Sequence, residues 1–141
     1  MQQQKLALKF RVFHWGVAIC VLLNAFILES GDFLHRYLGY FALILIILRI
    51  SFQGQKKVTH YNPKAKYVYW LIWLCLFGLA LTGFMLGLDR FFGDSTLEEI
   101  HEVISNILLG LVCLHLLGIV FDAFQNKRKT WMVMFTGDKE I

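Results

Sequence analysis

The amino-acid sequence predicts an all-α integral membrane protein, built as an antiparallel bundle of four transmembrane helices. The 141 residues are 57% hydrophobic and only 17% charged, and they include a single proline. Soluble domains average about 45–50% apolar and about 25% charged residues, so this composition is typical of a protein that packs against lipid. Long uncharged stretches also recur along the chain, and clusters of basic residues alternate with them. We expect one membrane domain over residues 1–141.

Three of the four predicted helices contain long uncharged stretches. Residues 12–28, 67–88 and 103–121 carry no charged side chain. With its flanks, each stretch is long enough to cross a hydrocarbon core of about 30 Å. We therefore expect the first helix over residues 12–29, the third over 66–88 and the fourth over 96–124.

The second helix is predicted from a shorter apolar stretch. Only residues 37–48 are free of charge, and twelve residues alone are too few to span a bilayer. Extension to residues 33–52 gives twenty residues that include Arg36 and Arg49. An arginine is tolerated within a membrane when it faces the interior of a helix bundle and has an anionic partner. We therefore expect the second helix over residues 33–52.

The connections between the helices agree with this topology. Ser30-Gly31-Asp32 forms a short turn, which makes the first two helices antiparallel neighbours. The loop between the second and third helices is polar and holds Pro63. The sequence Ser95-Thr96-Leu97-Glu98 fits a capping box that starts the fourth helix at Ser95.

The positions of the basic residues predict the orientation of the protein in the membrane. Twelve of the fourteen Lys and Arg residues fall at the two termini, in the middle loop or at Arg49, and Arg36 and Arg90 fall on the other side. By the positive-inside rule, both termini, the middle loop and the tail over residues 125–141 are cytoplasmic. Because the basic residues follow the topology and do not gather on one soluble face, we expect no binding of nucleic acid.

The opposite, outer side of the protein is predicted to be acidic. Seven of the ten acidic residues fall there, which gives a net charge of about −5 with neutral histidines. These residues are Glu29, Asp32, Asp89, Asp94, Glu98, Glu99 and Glu102.

Four of the five histidines lie in or near the predicted helices. His101 and His115 are fourteen residues apart, which is about four helical turns or about 21 Å, so both project from one face of the fourth helix. His35 and His101 each follow an outer connection by a few residues, whereas His14 lies deeper, towards the cytoplasmic side, with His115. The sequence thus predicts an inner pair, His14 with His115, and an outer pair, His35 with His101.

Two imidazoles that face each other across a helix bundle are a standard set of axial ligands for haem iron. Zinc or a di-iron centre would need more ligands at one depth, and a di-iron bundle takes a Glu-x-x-His motif from each of two helices, whereas this sequence has only the one from Glu98 to His101. We therefore expect two b-type haems in the bundle. The three cysteines, Cys20, Cys75 and Cys113, are scattered in apolar stretches, and no Cys-x-x-Cys-His motif for covalent haem attachment occurs.

Several other residues are candidates for contact with haem. Arg49 lies fourteen residues after His35, at the depth of the inner pair, and is a candidate partner of a haem propionate. Arg11 and Arg36 are further candidates for this role, although snorkelling to lipid head groups is the alternative. Four glycines would let a porphyrin approach the backbone: Gly16, Gly39, Gly110 and Gly118.

Less specific interpretations apply to the other aromatic and histidine residues. A single membrane histidine often only forms a hydrogen bond between helices, and a protein without haem, which acts as a structural subunit, is the corresponding alternative. His60 lies in the polar loop and is expected to be solvated. Trp15, Trp70, Trp73 and Trp131 are expected to be interfacial anchors and packing residues, and the tail is expected to make peripheral contact with the membrane surface.

The motifs around these histidines resemble the bacterial cytochrome b561 family, which includes the b-type cytochrome subunit of nickel-iron hydrogenases. The matching residues are Arg11-Val-Phe-His14-Trp15, His35-x-x-x-Gly39 with Arg49, and His101 with His115-Leu-Leu-Gly118. The ending Trp131-Met-Val-Met134-Phe-Thr-Gly137-Asp-Lys139 also looks like the terminal signature of this family. The resemblance implies a di-haem protein of the bacterial inner membrane that passes electrons between a quinone pool and another redox partner.

Two functions remain open within this resemblance. The first is an electron conduit that exchanges electrons with quinone at one end and with a periplasmic cytochrome or other redox protein at the other. The second is an enzyme, a superoxide oxidase that reduces quinone. An anionic substrate favours a positive entrance, so the acidic outer side argues against the enzyme unless Arg36 and Arg90 form a local funnel.

Overall fold

Four long helices account for most of the protein. A computed structural model describes residues 6–53, 64–127 and 129–138. The helices are α1 (Leu8–Phe26), α2 (Phe33–Gln53), α3 (Ala65–Leu86) and α4 (Ser95–Asn126). Each is long and apolar enough to cross a membrane, which confirms the predicted fold class. Most of the middle loop, with His60 and Pro63, and the chain from residue 139 lie outside the described residues.

Helix α1 begins four residues before the apolar stretch that predicts it. Leu8, Lys9 and Phe10 continue the helix ahead of Val12, because leucine and lysine are good helix formers and a charge does not end a helix. At its other end, the N–H groups of Ile27 and Leu28 both donate to the carbonyl oxygen of Leu23. This closes the helix at Phe26, three residues before the predicted end.

The turn between α1 and α2 is short, as the sequence indicates. Gly31 has a φ of +88°, a conformation that glycine adopts at no steric cost. Asp32 then accepts a hydrogen bond of 2.7 Å from the N–H of Phe33 at the start of α2. The two helices therefore run antiparallel and pack along each other.

Helix α4 starts with a different cap from the predicted one. Asp94 is the N-cap residue, and its carboxylate accepts a hydrogen bond of 3.1 Å from the N–H of Leu97. The predicted capping box from Ser95 to Glu98 is therefore wrong by one residue. Asp94 has an extended backbone conformation and places a carboxylate at the positive end of the helix, so it is at least as good a cap as serine.

A short tail follows α4. It consists of a 3₁₀ turn, Thr130–Met132, and one helical turn, α5 (Val133–Thr136). The N–H of Leu6 donates a hydrogen bond of 2.8 Å to the carbonyl oxygen of Gly137. The tail therefore lies against the first residues that the structure describes, beside the start of α1.

The four helices form two hairpins. Helix α1 packs along α2, α3 packs along α4, and the hairpins meet mainly where α2 contacts α3. Within the described residues, α1 and α4 make few close backbone contacts, although they bear the two histidines of the inner pair. The space between α1 and α4 is therefore spanned by side chains.

An apolar layer crosses the middle of the bundle. Its centre consists of Ile46, Leu76 and Leu108 from three different helices, and Ile46 is only 1% exposed. Partly buried residues of α1, α3 and α4 pack around this centre: Val17, Val21, Ile72, Cys75, Leu79 and Val112. Leu108 lies seven residues from His101 and seven from His115, so the layer separates the inner pair from the outer pair.

Candidate functional site

The inner pair joins the first and last of the long helices. The ring centroids of His14 on α1 and His115 on α4 are 6.3 Å apart, with the ring planes inclined at 61°. Two more aromatic rings enclose these imidazoles. Trp15 lies edge-on to His14 at 5.7 Å, and Tyr69 of α3 lies edge-on to His115 at 5.3 Å.

The outer pair repeats this arrangement between α2 and α4. The ring centroids of His35 and His101 are also 6.3 Å apart, with the ring planes inclined at 59°. The structure therefore brings together the same two pairs that the depths along the helices predict.

The separation within each pair is suited to one metal ion between two imidazoles. A metal–imidazole bond is about 2 Å long, and a ring nitrogen lies roughly 1 Å from the ring centre. Two rings on opposite sides of one metal ion thus have centroids about 6 Å apart, close to the observed 6.3 Å. Two axial imidazoles complete the coordination of haem iron, whose other ligands come from the porphyrin.

A cavity of about 100 Å³ lies at the outer pair. All four helices line it, and its walls are mostly apolar. The predicted residues His35, Arg36, Gly39 and His101 are all among them, and α3 contributes Gly83.

Two glycines line this cavity and leave open the space that a side chain would fill. A Cβ atom on Gly83 would lie 3.5 Å from Cε1 of His101, and one on Gly39 would lie 3.7 Å from Nδ2 of Asn24. The other glycines with a predicted role lie elsewhere. Gly16 packs against Leu45, where a Cβ atom would come within 2.8 Å of Cδ1. Apart from their own helical turn, Gly110 and Gly118 have no atom of the described residues within 4 Å of such a position.

Polar side chains from the neighbouring helix contact each outer histidine. Nδ1 of His101 lies 2.7 Å from Oγ1 of Thr82 on α3, which is a buried residue. Nδ2 of Asn24 on α1 donates a hydrogen bond of 3.1 Å to the backbone carbonyl of His35. The imidazole Nδ1 of His35 is buried and has no hydrogen-bond partner among the described residues.

Thr82 and Asn24 were not among the predicted site residues, although a signal for both was present. Each is a polar residue in an apolar stretch. Asn24 and His35 lie at similar distances from the turn between α1 and α2, and Thr82 and His101 lie at similar distances from the connection between α3 and α4. Antiparallel helices place such residues opposite each other.

Arg49 lies towards the inner end of α2, as its spacing predicts. Its Cζ atom is 6.0 Å from the centroid of the Trp73 ring, and its Nε atom is buried without a hydrogen-bond partner among the described residues. A buried guanidinium with an unused donor favours an anion in its vicinity. The carboxylate of a haem propionate has the required charge.

Arg36 and Arg11 lie in different surroundings. Arg36 lines the outer cavity, and its guanidinium packs against Gly87. Arg11 is partly buried, and its Nη1 donates to the carbonyl oxygen of Phe135 in the tail. The structure therefore brings Arg36 to the outer pair and Arg11 to the tail.

The tail packs against the start of α1, a contact that the sequence did not predict. The indole nitrogen of Trp15 donates a hydrogen bond of 3.1 Å to the carbonyl oxygen of Met134, and its ring packs on Phe135 at 4.8 Å. The last carbonyls of a helix lack partners within the helix, so Arg11 and Trp15 supply donors that α5 needs. Trp15 is thus more than an interfacial anchor.

A comparison with protein families connects this geometry to a known class. The model of prokaryotic cytochrome b561 matches residues 6–137, which is nearly the whole chain. The chain belongs to the prokaryotic cytochrome b561 family. As a member of this family, it is a multi-pass membrane cytochrome that binds b-type haem and acts in electron transfer. No curated protein and no solved structure gives a significant match.

The residues of this cytochrome fit the cofactor of its family. The two imidazole separations suit hexacoordinate iron. The outer cavity is apolar with a few polar groups, as cofactor sites are. Arg49, whose Nε atom is buried at the inner level, supplies a cation for an acidic substituent. The family membership and the geometry therefore agree on what the bundle holds.

Proposed function

We propose that the protein is a di-haem cytochrome of the bacterial inner membrane that transfers electrons between the quinone pool and a periplasmic redox partner. One observation carries this proposal. Two imidazole pairs with the same separation of 6.3 Å lie on opposite sides of the apolar layer, at two depths of one bundle. Two electron carriers stacked in this way would divide electron transfer across the membrane into two shorter steps.

Each group of residues has a distinct task in this proposal. His14 and His115 hold the inner haem, and His35 and His101 hold the outer haem. When bound, haem supplies one-electron redox chemistry, and the protein sets its potential through the axial ligands and the local polarity. Arg49 would neutralise a propionate of the inner haem, while Arg36 and Gly39 would contact the outer one. Arg11 holds the tail at the inner end of the bundle through its hydrogen bond to Phe135.

The charge distribution supports an orientation with both termini in the cytoplasm. The basic residues of the termini and the middle loop follow the positive-inside rule. The inner pair then faces the cytoplasm and the outer pair faces the periplasm. A quinone reaches the bundle through the bilayer, since it dissolves in the same lipid that covers the exposed apolar side chains of the helices.

The acidic outer side supports a basic protein as the periplasmic partner. The side chains of Glu98, Glu99 and Glu102 are all exposed at the start of α4, close in sequence to His101. Complementary charge guides a partner to the place where an electron enters or leaves. A small basic cytochrome meets this requirement.

A superoxide oxidase that reduces quinone is the second candidate. The observation that favours it is the position of Arg36, whose cationic group lines the outer cavity. An anionic substrate would be drawn towards such a group, although the surrounding carboxylates oppose it. Addition of superoxide together with quinone separates the two candidates, because only the oxidase accelerates quinone reduction above the rate without protein.

Haem content tests the main proposal. The purified protein should contain two b-type haems per chain, measured from the reduced-minus-oxidised spectrum together with the protein concentration. His14→Ala should remove one spectral component and His35→Ala the other, which leaves one haem per chain in each variant. His60→Ala, in the loop, is the matched control and should retain both haems. A folded protein without haem, or equal loss of both components in each variant, would contradict the proposal.

A further inference from the structure

A buried hydroxyl on α3 contacts one of the two outer histidines and not the other. Oγ1 of Thr82 lies 2.7 Å from Nδ1 of His101. The same oxygen lies 2.8 Å from the carbonyl oxygen of Gly78 and 3.2 Å from that of Leu79. Thr82 is 7% exposed, so these contacts are shielded from solvent.

The positions of the protons follow from these distances. A threonine hydroxyl carries one proton, and a carbonyl oxygen carries none. Two oxygens 2.8 Å apart attract each other only when a proton lies between them, so the Thr82 hydroxyl donates to the carbonyl of Gly78. The contact with His101 then needs a proton on Nδ1. Nδ1–H therefore donates to Oγ1, and the lone pair of Nε2 stays available.

We propose that Thr82 is a positioning residue for the outer haem, which fixes His101 in the Nδ1–H tautomer and holds Nε2 ready to bind iron. The proposal rests on the proposed function, in which His101 is an axial ligand. Histidines that bind metals commonly donate their other N–H to a fixed acceptor, which sets the ring orientation and makes the ligand more basic. Thr82 is such an acceptor, and its own bond to Gly78 strengthens it.

The same geometry makes the two outer ligands unequal. Nδ1 of His35 has no hydrogen-bond partner among the described residues, and the nearby Asn24 amide donates to the backbone of His35. His101 therefore donates more electron density to the iron than His35 does. A more basic axial ligand favours ferric over ferrous iron, so the Thr82 hydroxyl lowers the midpoint potential of the outer haem.

Redox titration of single variants tests this role. Thr82→Val keeps the shape of the side chain and removes the acceptor, so the midpoint potential of the outer haem should shift to a more positive value. The outer haem is identified as the component that His35→Ala removes. Thr82→Ser keeps the hydroxyl and should leave the potential unchanged, and the inner haem should not respond to either variant.

Ser51→Ala is the matched control. The hydroxyl of Ser51 donates to the carbonyl of Ile47 on α2 at 2.9 Å, which is the same local bond that Thr82 makes to Gly78. Its loss should leave both potentials unchanged. A positive shift in Thr82→Val alone supports the proposal, as does loss of the outer haem in Thr82→Val with retention in Thr82→Ser.

Three results would overturn it: an unchanged outer potential in Thr82→Val, equal shifts in Thr82→Val and Thr82→Ser, or loss of the outer haem in Thr82→Ser as well. The proposed function fails on a different measurement, because the unaltered protein would then contain no haem at the outer pair. The two failures are therefore distinguishable.

Discussion

The guanidinium of Arg49 lies over the indole ring of Trp73, with 6.0 Å between its Cζ atom and the ring centroid. Such a cation–π contact contributes about 0.5–2 kcal/mol. An arginine costs about 2.5–3.5 kcal/mol at the centre of a transmembrane helix on insertion scales, and less towards a helix end, where Arg49 lies. The aromatic contact offsets part of this cost, and an anion beside the guanidinium would offset more of it.

Loss of the Arg49 charge should lower the midpoint potential of the inner haem. A nearby cation favours the reduced iron, by on the order of 1 kcal/mol if it lies about 10–15 Å away at an effective dielectric constant of about 20. Arg49→Leu should thus shift the inner component by roughly 50 mV in redox titration. Arg49→Lys keeps the charge and should shift it less, and Arg90→Leu is the distant control. An unchanged inner potential in Arg49→Leu would show that no haem charge lies close to this residue.

Enlargement of Gly83 should block the outer haem. A Cβ atom there makes an ordinary contact of 3.5 Å with His101, so Gly83→Ala should retain both haems. A leucine reaches further into the cavity and should displace the outer haem, while the inner haem stays bound. Gly110→Leu is the matched control, because nothing lies within 4 Å of its Cβ position. Haem per chain measures the effect, and two haems in Gly83→Leu would contradict it.

The pairing of the histidines could be predicted because it depends only on the rise of a helix and on short turns. His35 and His101 follow their turns by similar numbers of residues, so their depths match without knowledge of the packing. The contact between Thr82 and His101 also depends on how α3 rotates against α4, which an apolar stretch without polar periodicity does not define. The docking of the tail on Trp15 joins distant parts of the chain, and no local pattern signals it.

The cap of α4 offers a direct test of helix stability. Asp94→Ala removes the side-chain acceptor for the N–H of Leu97 and should destabilise the protein by about 1 kcal/mol. Asp94→Asn keeps an acceptor and should cost less. Ser95→Ala should be nearly neutral, although the sequence favoured Ser95 as the cap. Unfolding in mixed micelles measures these differences. A larger loss of unfolding free energy for Ser95→Ala than for Asp94→Ala would support the predicted capping box instead.

Electron exchange with a basic partner should depend on salt. Charge attraction mainly raises the association rate, and the Debye length is about 10 Å at 0.1 M ionic strength. Replacement of both Glu98 and Glu99 by lysine should slow the exchange about tenfold at low salt. Gln125→Lys adds a positive charge at the far end of α4 and should have little effect. Exchange rates that do not depend on salt, or that rise when Glu98 and Glu99 are replaced by lysine, would favour the superoxide reaction.

The hydrogen bond from Trp15 to Met134 should hold the tail closed. Trp15→Phe keeps an aromatic ring next to Phe135 and removes the indole donor, which contributes about 1 kcal/mol. Amide hydrogens of residues 132–137 should then exchange about fivefold faster. Trp131→Phe, which alters a tryptophan that contacts Phe135 by its ring at 6.4 Å, is the control. Equal exchange in the two variants would mean that the indole bond does not restrain the tail.

The bond from Trp15 to Met134 spans 119 residues, so it has a consequence for the order of biosynthesis. The first helix leaves the ribosome long before the segment that satisfies Trp15 and Arg11 exists. The environment of His14 is therefore finished only after Met134 has been made, whereas both hairpin contacts of the outer histidines are local and form earlier. A nascent chain is thus expected to complete the surroundings of the outer pair before those of the inner pair.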